Sequence, residues 1–244
     1  MVLSNDYDII EYKEMIFNIS HKVCGNIFII NNGNFNERLK NNLCLCTVCY
    51  PIGDNKSIKE KEIINWLKDL YIDLIESDKT ILRPKHLDIY LPNHNIAIEF
   101  NGLFWHGENK VDKNYHLNKS LMCQDKGIHL MHIWEDEWIF KQDIVKSIIK
   151  NKLNVIENKI FARNCVLKEV TDSKLVRKFL DDNHIQGYSQ SSIKLGLYYN
   201  SELVSLMTFG YRHTNSKKEF ELIRFCNILN TNVIGASSKL LDGK

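Results

Sequence analysis

Apolar and polar positions follow two different periods along this chain, and each change of period marks an element. Residues 57–75, "SIKEKEIINWLKDLYIDLI", place Ile63, Ile64, Leu67, Leu70, Tyr71, Leu74 and Ile75 at i, i+3, i+4 spacing. That spacing predicts an amphipathic helix, with Ser57 and Glu60 forming a capping box at its start. "HLDIYL" and "IAIEF" then alternate with a period of two, which predicts a pair of antiparallel strands joined at "PNHN". "TILR" at 80–83 offers a further strand before them. "YHLNKSLMCQDKG" (115–127) reads as a helix stopped by Gly127. "IHLMHIW" (128–134) reads as a strand. "EDEWIFKQDIVKSIIKNKLN" (135–154) reads as a helix whose acidic start suits the helix dipole.

The flanks are less regular. Residues 1–50 predict a helix near 6–18 and then a polar segment ending in "CLCTVCYP". Beyond the connecting stretch "VIENKIFARN", residues 159–244 predict a third, α+β unit. Its elements are a helix at 172–182, strands near 193–199, 203–210 and 218–227, and a helix from about 235. Two of those strands form a hairpin turning at Asn200-Ser201. The expected domains are therefore 1–50, 51–154 and 159–244, in a mixed α/β (α+β) class.

Composition narrows the picture only slightly. The 244 residues are 44% apolar and 25% charged, the balance of a globular chain with a real core. A formal charge of +2 permits nucleic acid as a partner without demanding it. No apolar run approaches the roughly 18 residues of a membrane span. "MVLSNDYDIIEYKEM" is acidic and amphipathic, unlike a signal peptide, so a cytosolic (cytoplasmic) chain is expected. Seven cysteines in that compartment read as reduced thiols or metal ligands. Cys46-x-x-Cys49 is a zinc half-site. The other half can come from His21 and Cys24 in "HKVC", or from Cys44. Cys123, Cys165 and Cys226 read as core residues.

The chemistry concentrates at 86–106, "HLDIYLPNHNIAIEFNGLFWH". Asp88 and Glu99 fall near the ends of neighbouring antiparallel strands, where their side chains converge. Two carboxylates so placed repel unless a cation lies between them. Hard divalent ions such as Mg²⁺ take one or two carboxylates together with phosphate oxygens. His106 follows closely and can exchange a proton near neutral pH. His116 and Lys119 share a face of the next helix, and Glu135, Asp136 and Glu137 sit at the end of the following strand.

These motifs resemble the Vsr-like branch of the PD-(D/E)xK nucleases, and most of all the phage homing endonucleases of the EDxHD type. "S-x-x-E" at 57–60, "LDIYLP", "IEFNGLFWH", "YHLNK" and "C…GIHLMHIWEDEW" occur in that family's order, over about a third of the chain. The resemblance implies a restriction-endonuclease-like αβββαβ core and cleavage of double-stranded DNA with Mg²⁺ or Mn²⁺. It implies that Asp88 is the central metal ligand and that Glu99 binds the ion directly or through water. It implies a supporting carboxylate at Glu60, with Glu62 as the alternative, and a general acid/base at His106. His116, Glu135 and Asp136 would support them. One departure stands out: the lysine expected two residues after Glu99 is Asn101. The water-activating residue is then His106 first and Lys119, reaching in from the next helix, second.

Two other outcomes share this core: a mismatch-nicking repair enzyme, and a DNA-binding protein that has lost catalysis. One active site cuts one strand, so a double-strand break would need a homodimer or a second binding event. The 159–244 unit loosely resembles the front half of a GNAT acyltransferase and also a domain appended to phage homing endonucleases. The GNAT fold would need further strands after the last helix, so the unit reads as reduced or as part of a longer chain. "GYRHTNSKK" (210–218) is a basic stretch suited to a DNA backbone.

Overall fold

The computed structural model describes residues 5–41, 43–52, 58–102, 114–211 and 219–242. The fold is mixed α+β and divides into two compact units, Met1–Trp138 and Ile139–Lys244.

The first unit opens with an antiparallel sheet, β1 (Tyr7–Lys13), β2 (Ile16–His21) and β3 (Asn26–Asn31), followed by α1 (Asn32–Lys40). The helix expected near 6–18 is thus a hairpin. The misleading signal is physical. A bulge between Ile9 and Glu11 inserts Ile10, so the apolar residues fall at helix-like intervals. The turn is also unannounced: Glu14 and Met15 both adopt positive φ (52° and 63°), a two-residue hairpin turn built without Asn or Gly.

The core of the unit is α2 (Ile58–Asp69), β4 (Ile75–Asp78), β5 (Leu87–Leu91), β6 (Ile96–Asn101), α3 (Tyr115–Asp125) and β7 (His129–Trp134). Its sheet runs β4-β5-β6-β7, antiparallel except for the parallel β6–β7 pair. α2 stops earlier than its periodicity suggests. Ile72 N–H bonds to Leu67 O and Tyr71 N–H to Lys68 O, with Tyr71 left-handed at φ 57°. That stop frees Ile75 to open β4. The strand ahead of Asp88 is therefore 75–78, not 80–83. Asp78 Oδ1 accepts the N–H groups of Thr80 and Ile81 and turns the chain there.

The expected helix over 135–154 is two helices, α4 (Glu135–Phe140) and α5 (Gln142–Lys152), parted at Lys141 with φ −135° and ψ 35°. α5 belongs to the second unit. That unit continues with β8 (Asn158–Phe161), β9 (Val166–Glu169), α6 (Ser173–Asn183), β10 (Ile193–Tyr199), β11 (Glu202–Tyr211), β12 (Phe220–Asn227), β13 (Thr231–Ile234) and α7 (Ala236–Asp242). β9 to β12 form an antiparallel sheet in the order β12-β11-β10-β9, and β13 pairs in parallel with β8. The stretch "VIENKIFARN" is thus no simple connector, since it carries β8. The β10–β11 turn lies where its sequence places it, with Asn200 and Ser201 at φ 48° and 67°.

Candidate metal and active site

Asp88 and Glu99 are cross-strand neighbours. Ile89 pairs with Ile98, Tyr90 with Ala97 and Leu91 with Ile96, and the register carried one step further sets Asp88 beside Glu99. Alternation along β6 puts Asn101 on the same face as Glu99. Across the parallel pairing, Glu99 faces His132 and Asn101 faces Trp134. α3 lies over this face with His116, Lys119, Ser120 and Cys123 turned toward it.

Each polar group on this face has a defined job. Asp88 Oδ2 accepts the Phe100 N–H at 2.9 Å, and Asp88 Oδ1 lies 3.4 Å from His86 Nε2. Lys119 is fully buried, and its ammonium donates to Glu99 Oε1. Burial, then the charge of Asp88, push the Glu99 carboxyl up to about 7, while Lys119 pulls the other way. The bond to Asp88 raises His86. Burial, with Lys119 and Lys85 nearby, lowers His116. Glu99 Oε2 and Asn101 Oδ1 are buried and have no hydrogen-bond partner among the described residues.

A second set of bonds joins β6, β7 and α3. Asn101 Nδ2 lies 3.2 Å from His132 Nδ1, His132 Nε2 lies 3.1 Å from Ser120 Oγ, and Ser120 Oγ donates to His116 O at 2.8 Å. The His116 ring packs against His132 and Trp134, with centroids 5.1 and 5.6 Å away. Of the residues singled out from sequence, Asp88, Glu99 and Lys119 come together, and His116 joins the adjoining network. Glu60 and Glu135 are buried and both bear electrostatically on Tyr50. Glu62 accepts from the Trp138 indole N–H at 3.0 Å. Glu137 accepts the Trp134 N–H, capping α4. His106 and Ser57 lie outside the described residues, as does most of the basic stretch at 210–218. Sequence reasoning passed over His86, Ser120 and His132. The period-two pattern that revealed Glu99 would have placed His132 on the same face.

A separate cluster sits at the β2–β3 turn and the loop after α1. His21, Cys24, Cys46 and Cys49 bring their ligand atoms within 4.8 Å of one another. Cys24 Sγ and Cys46 Sγ are 3.9 Å apart, Cys49 Sγ and His21 Nδ1 3.6 Å, and His21 Nδ1 and Cys24 Sγ 3.0 Å. With zinc–sulfur bonds near 2.3 Å and zinc–nitrogen bonds near 2.0 Å, tetrahedral geometry requires S···S edges of about 3.8 Å and N···S edges of about 3.5 Å. The donor set fits. Hydrogen bonding from Cys49, and then from His21, lowers the Cys46 thiol against the effect of burial, the direction that metal ligation favours. Arg38 braces the loop through Cys44 O and Tyr50 O, both at 2.7 Å. The Tyr7 ring stacks on His21 with centroids 4.7 Å apart. Cys44, the alternative ligand, instead pairs with Tyr7 Oη at 3.2 Å.

The second unit holds a cavity of about 350 Å³ lined by α5, the end of α6 and β12. Much of its polar lining serves the fold. Ser147 Oγ accepts the Asn230 N–H, and Asn183 Oδ1 accepts the Leu229 N–H, each at 2.8 Å. No described helix is long and apolar enough to cross a membrane.

No protein-family model matches the chain, and no curated protein matches it in sequence. One solved structure similar to it is the catalytic domain of the homing endonuclease I-Bth0305I. The TM-score is 0.34 at 20% identity, covering 42% of this chain and 100% of that one.

Proposed function

We propose that this chain is a divalent-cation-dependent DNA endonuclease of the homing type, acting on double-stranded DNA. The observation that carries the reading is the convergence of Asp88 and Glu99 on one sheet face with the buried Lys119 ammonium against Glu99. A buried carboxylate beside a half-buried one is costly unless the two hold something positive. Their oxygens suit Mg²⁺ or Mn²⁺. Such an ion, when bound, polarises a phosphodiester and lowers the pKa of water.

The chain's own groups supply the rest. The Phe100 N–H anchors one oxygen of Asp88, and the other lies 3.4 Å from the exposed His86 ring, which a bound ion would displace. Lys119 provides the positive charge that Asn101 does not, orienting the attacking water and offsetting the charge that builds on the phosphate oxygens. His106 keeps the proton-transfer role that the sequence resemblance implies. Water oxygen bonds to phosphorus as the bond to the leaving sugar oxygen breaks. The water proton passes to the base, and the leaving oxygen takes up a proton. The Cys₃His cluster would hold one structural Zn²⁺, fastening the first sheet to the loop at 44–50.

The test is cleavage of a plasmid library with random inserts, in Mg²⁺ or Mn²⁺. Wild type should nick or linearise a subset, and Asp88→Ala and Lys119→Ala should leave every plasmid intact. An inert wild type that still retards DNA on a gel would mean a binding protein on a nuclease fold. Cleavage that survives Asp88→Ala would remove the proposed site.

A further inference from the structure

We infer that Asn101 is a third oxygen donor to the cation held by Asp88 and Glu99, a role that rests on the nuclease reading above. In the sequence, Asn101 looks like a loss, because it stands where the resembled family has lysine. The hydrogen bonds around it point to a different role.

The chain of hydrogen bonds starts at Ser120. A hydroxyl has one proton, and Ser120 donates it to His116 O at 2.8 Å. Toward His132 Nε2, 3.1 Å away, Ser120 Oγ therefore accepts. In the neutral imidazole that leaves His132 Nδ1 as the acceptor. Asn101 must then present its Nδ2–H group to it, across 3.2 Å. The orientation of the amide is set by this chain of three bonds, and its oxygen is turned away from His132.

That oxygen is fully buried and has no hydrogen-bond partner among the described residues. A buried amide oxygen without a partner is unusual, because folding normally satisfies such groups. The same description applies to Glu99 Oε2, two residues earlier on the same strand face. Asp88, across the strand pair, adds a third oxygen, and its other carboxylate oxygen is already committed to the Phe100 N–H. Two orphaned acceptors and a carboxylate share one face. The buried hydrogen-bond donors there are directed elsewhere, Lys119 to Glu99 Oε1 and the Asn101 amide to His132, and the exposed His86 ring is the donor that approaches the free Asp88 oxygen, at 3.4 Å. What satisfies oxygens in this arrangement is a hard cation, which takes neutral amide oxygens as readily as carboxylates. The vacated lysine position thus becomes a ligand position, and Lys119 on α3 carries the charge instead.

The experiment is Mn²⁺ binding to the full zinc-loaded chain, read by electron paramagnetic resonance and calorimetry without DNA. Asn101→Leu should weaken binding about tenfold, the size typical of losing a group that supports a metal site. Asn101→Asp keeps an oxygen in place and adds charge, so it should tighten binding by a similar factor. A purely structural role for Asn101 predicts no tightening. Asp88→Ala separates the two levels of the argument. If it abolishes Mn²⁺ binding while both Asn101 variants stay within twofold of wild type, the donor role is wrong and the nuclease site stands. If Asp88→Ala binds Mn²⁺ like wild type, both fall.

Discussion

Glu99 is the residue on which the electrostatics of this site turn. Burial and Asp88 raise its carboxyl from 4.5 to about 7, with Lys119 only partly opposing them. Its folded value therefore lies above its unfolded one. The folded state holds a proton that the unfolded chain releases, so this contribution to stability is full at acid pH and is lost as pH rises through about 7. In buffer without divalent cations, urea midpoints should fall between about pH 5 and 8 more steeply for wild type than for Glu99→Gln. Added Mg²⁺ favours the charged carboxylate and should flatten the wild-type profile. An identical slope in the two proteins would mean that Glu99 is not held protonated. Asp88 and Glu99 were legible in sequence because charged residues on short apolar strands have few structural uses. His86 and Ser120 were not, because a lone histidine or serine carries no period of its own, whereas His132 lies where the strand period sets it, opposite Glu99.

Among the elements, β5, β6, α3, β7, α6, β10 and β11 lie where their apolar patterns place them. The failures share a cause in local backbone geometry that residue type does not announce. Ile10 in a bulge disguised β1, and Tyr71 in a left-handed conformation ended α2 without the usual glycine. The β1–β2 turn gives a direct check. Glu14 and Met15 occupy positive φ at a cost that Asn and Gly largely avoid. The double variant Glu14→Asn, Met15→Gly should stabilise the first unit by about 1 kcal/mol. Metal binding should not change. Destabilisation in a denaturant melt would restore the helical reading of this segment. In the second unit, Gly196 shows the opposite constraint: an added Cβ would lie 2.6 Å from Leu203 Cδ1 and 2.7 Å from Val170 Cγ2.

At the scale of the whole molecule, the first unit contains two centres of different chemistry. The oxygen-rich face of β5 and β6 suits a hard ion, and the sulfur-rich cluster at the β2–β3 turn suits zinc. The second lay partly in view, because Cys46-x-x-Cys49 is a local motif. The choice between His21 with Cys24 and the nearer Cys44 depended on a strand register, and Tyr7 decides it by occupying Cys44. Cys49→Ala should drop zinc content from one ion per chain to none and lower Tm by on the order of 10 °C. Amide exchange should quicken across β1 to β3 and the loop at 44–50, and stay unchanged in β10 and β11. Full zinc occupancy in Cys49→Ala would show that the cluster is not the binding site.

All four cluster ligands fall between residues 21 and 49, ahead of every strand of the β4-β5-β6-β7 sheet. During synthesis the ribosome delivers them before Asp88 or Glu99 exists. N-terminal segments fold as they emerge, so zinc can be captured while the rest of the chain is still being made. On the proposed reading, the order of translation would separate the two metals in time, the sulfur ligands meeting the softer ion before the oxygen site exists.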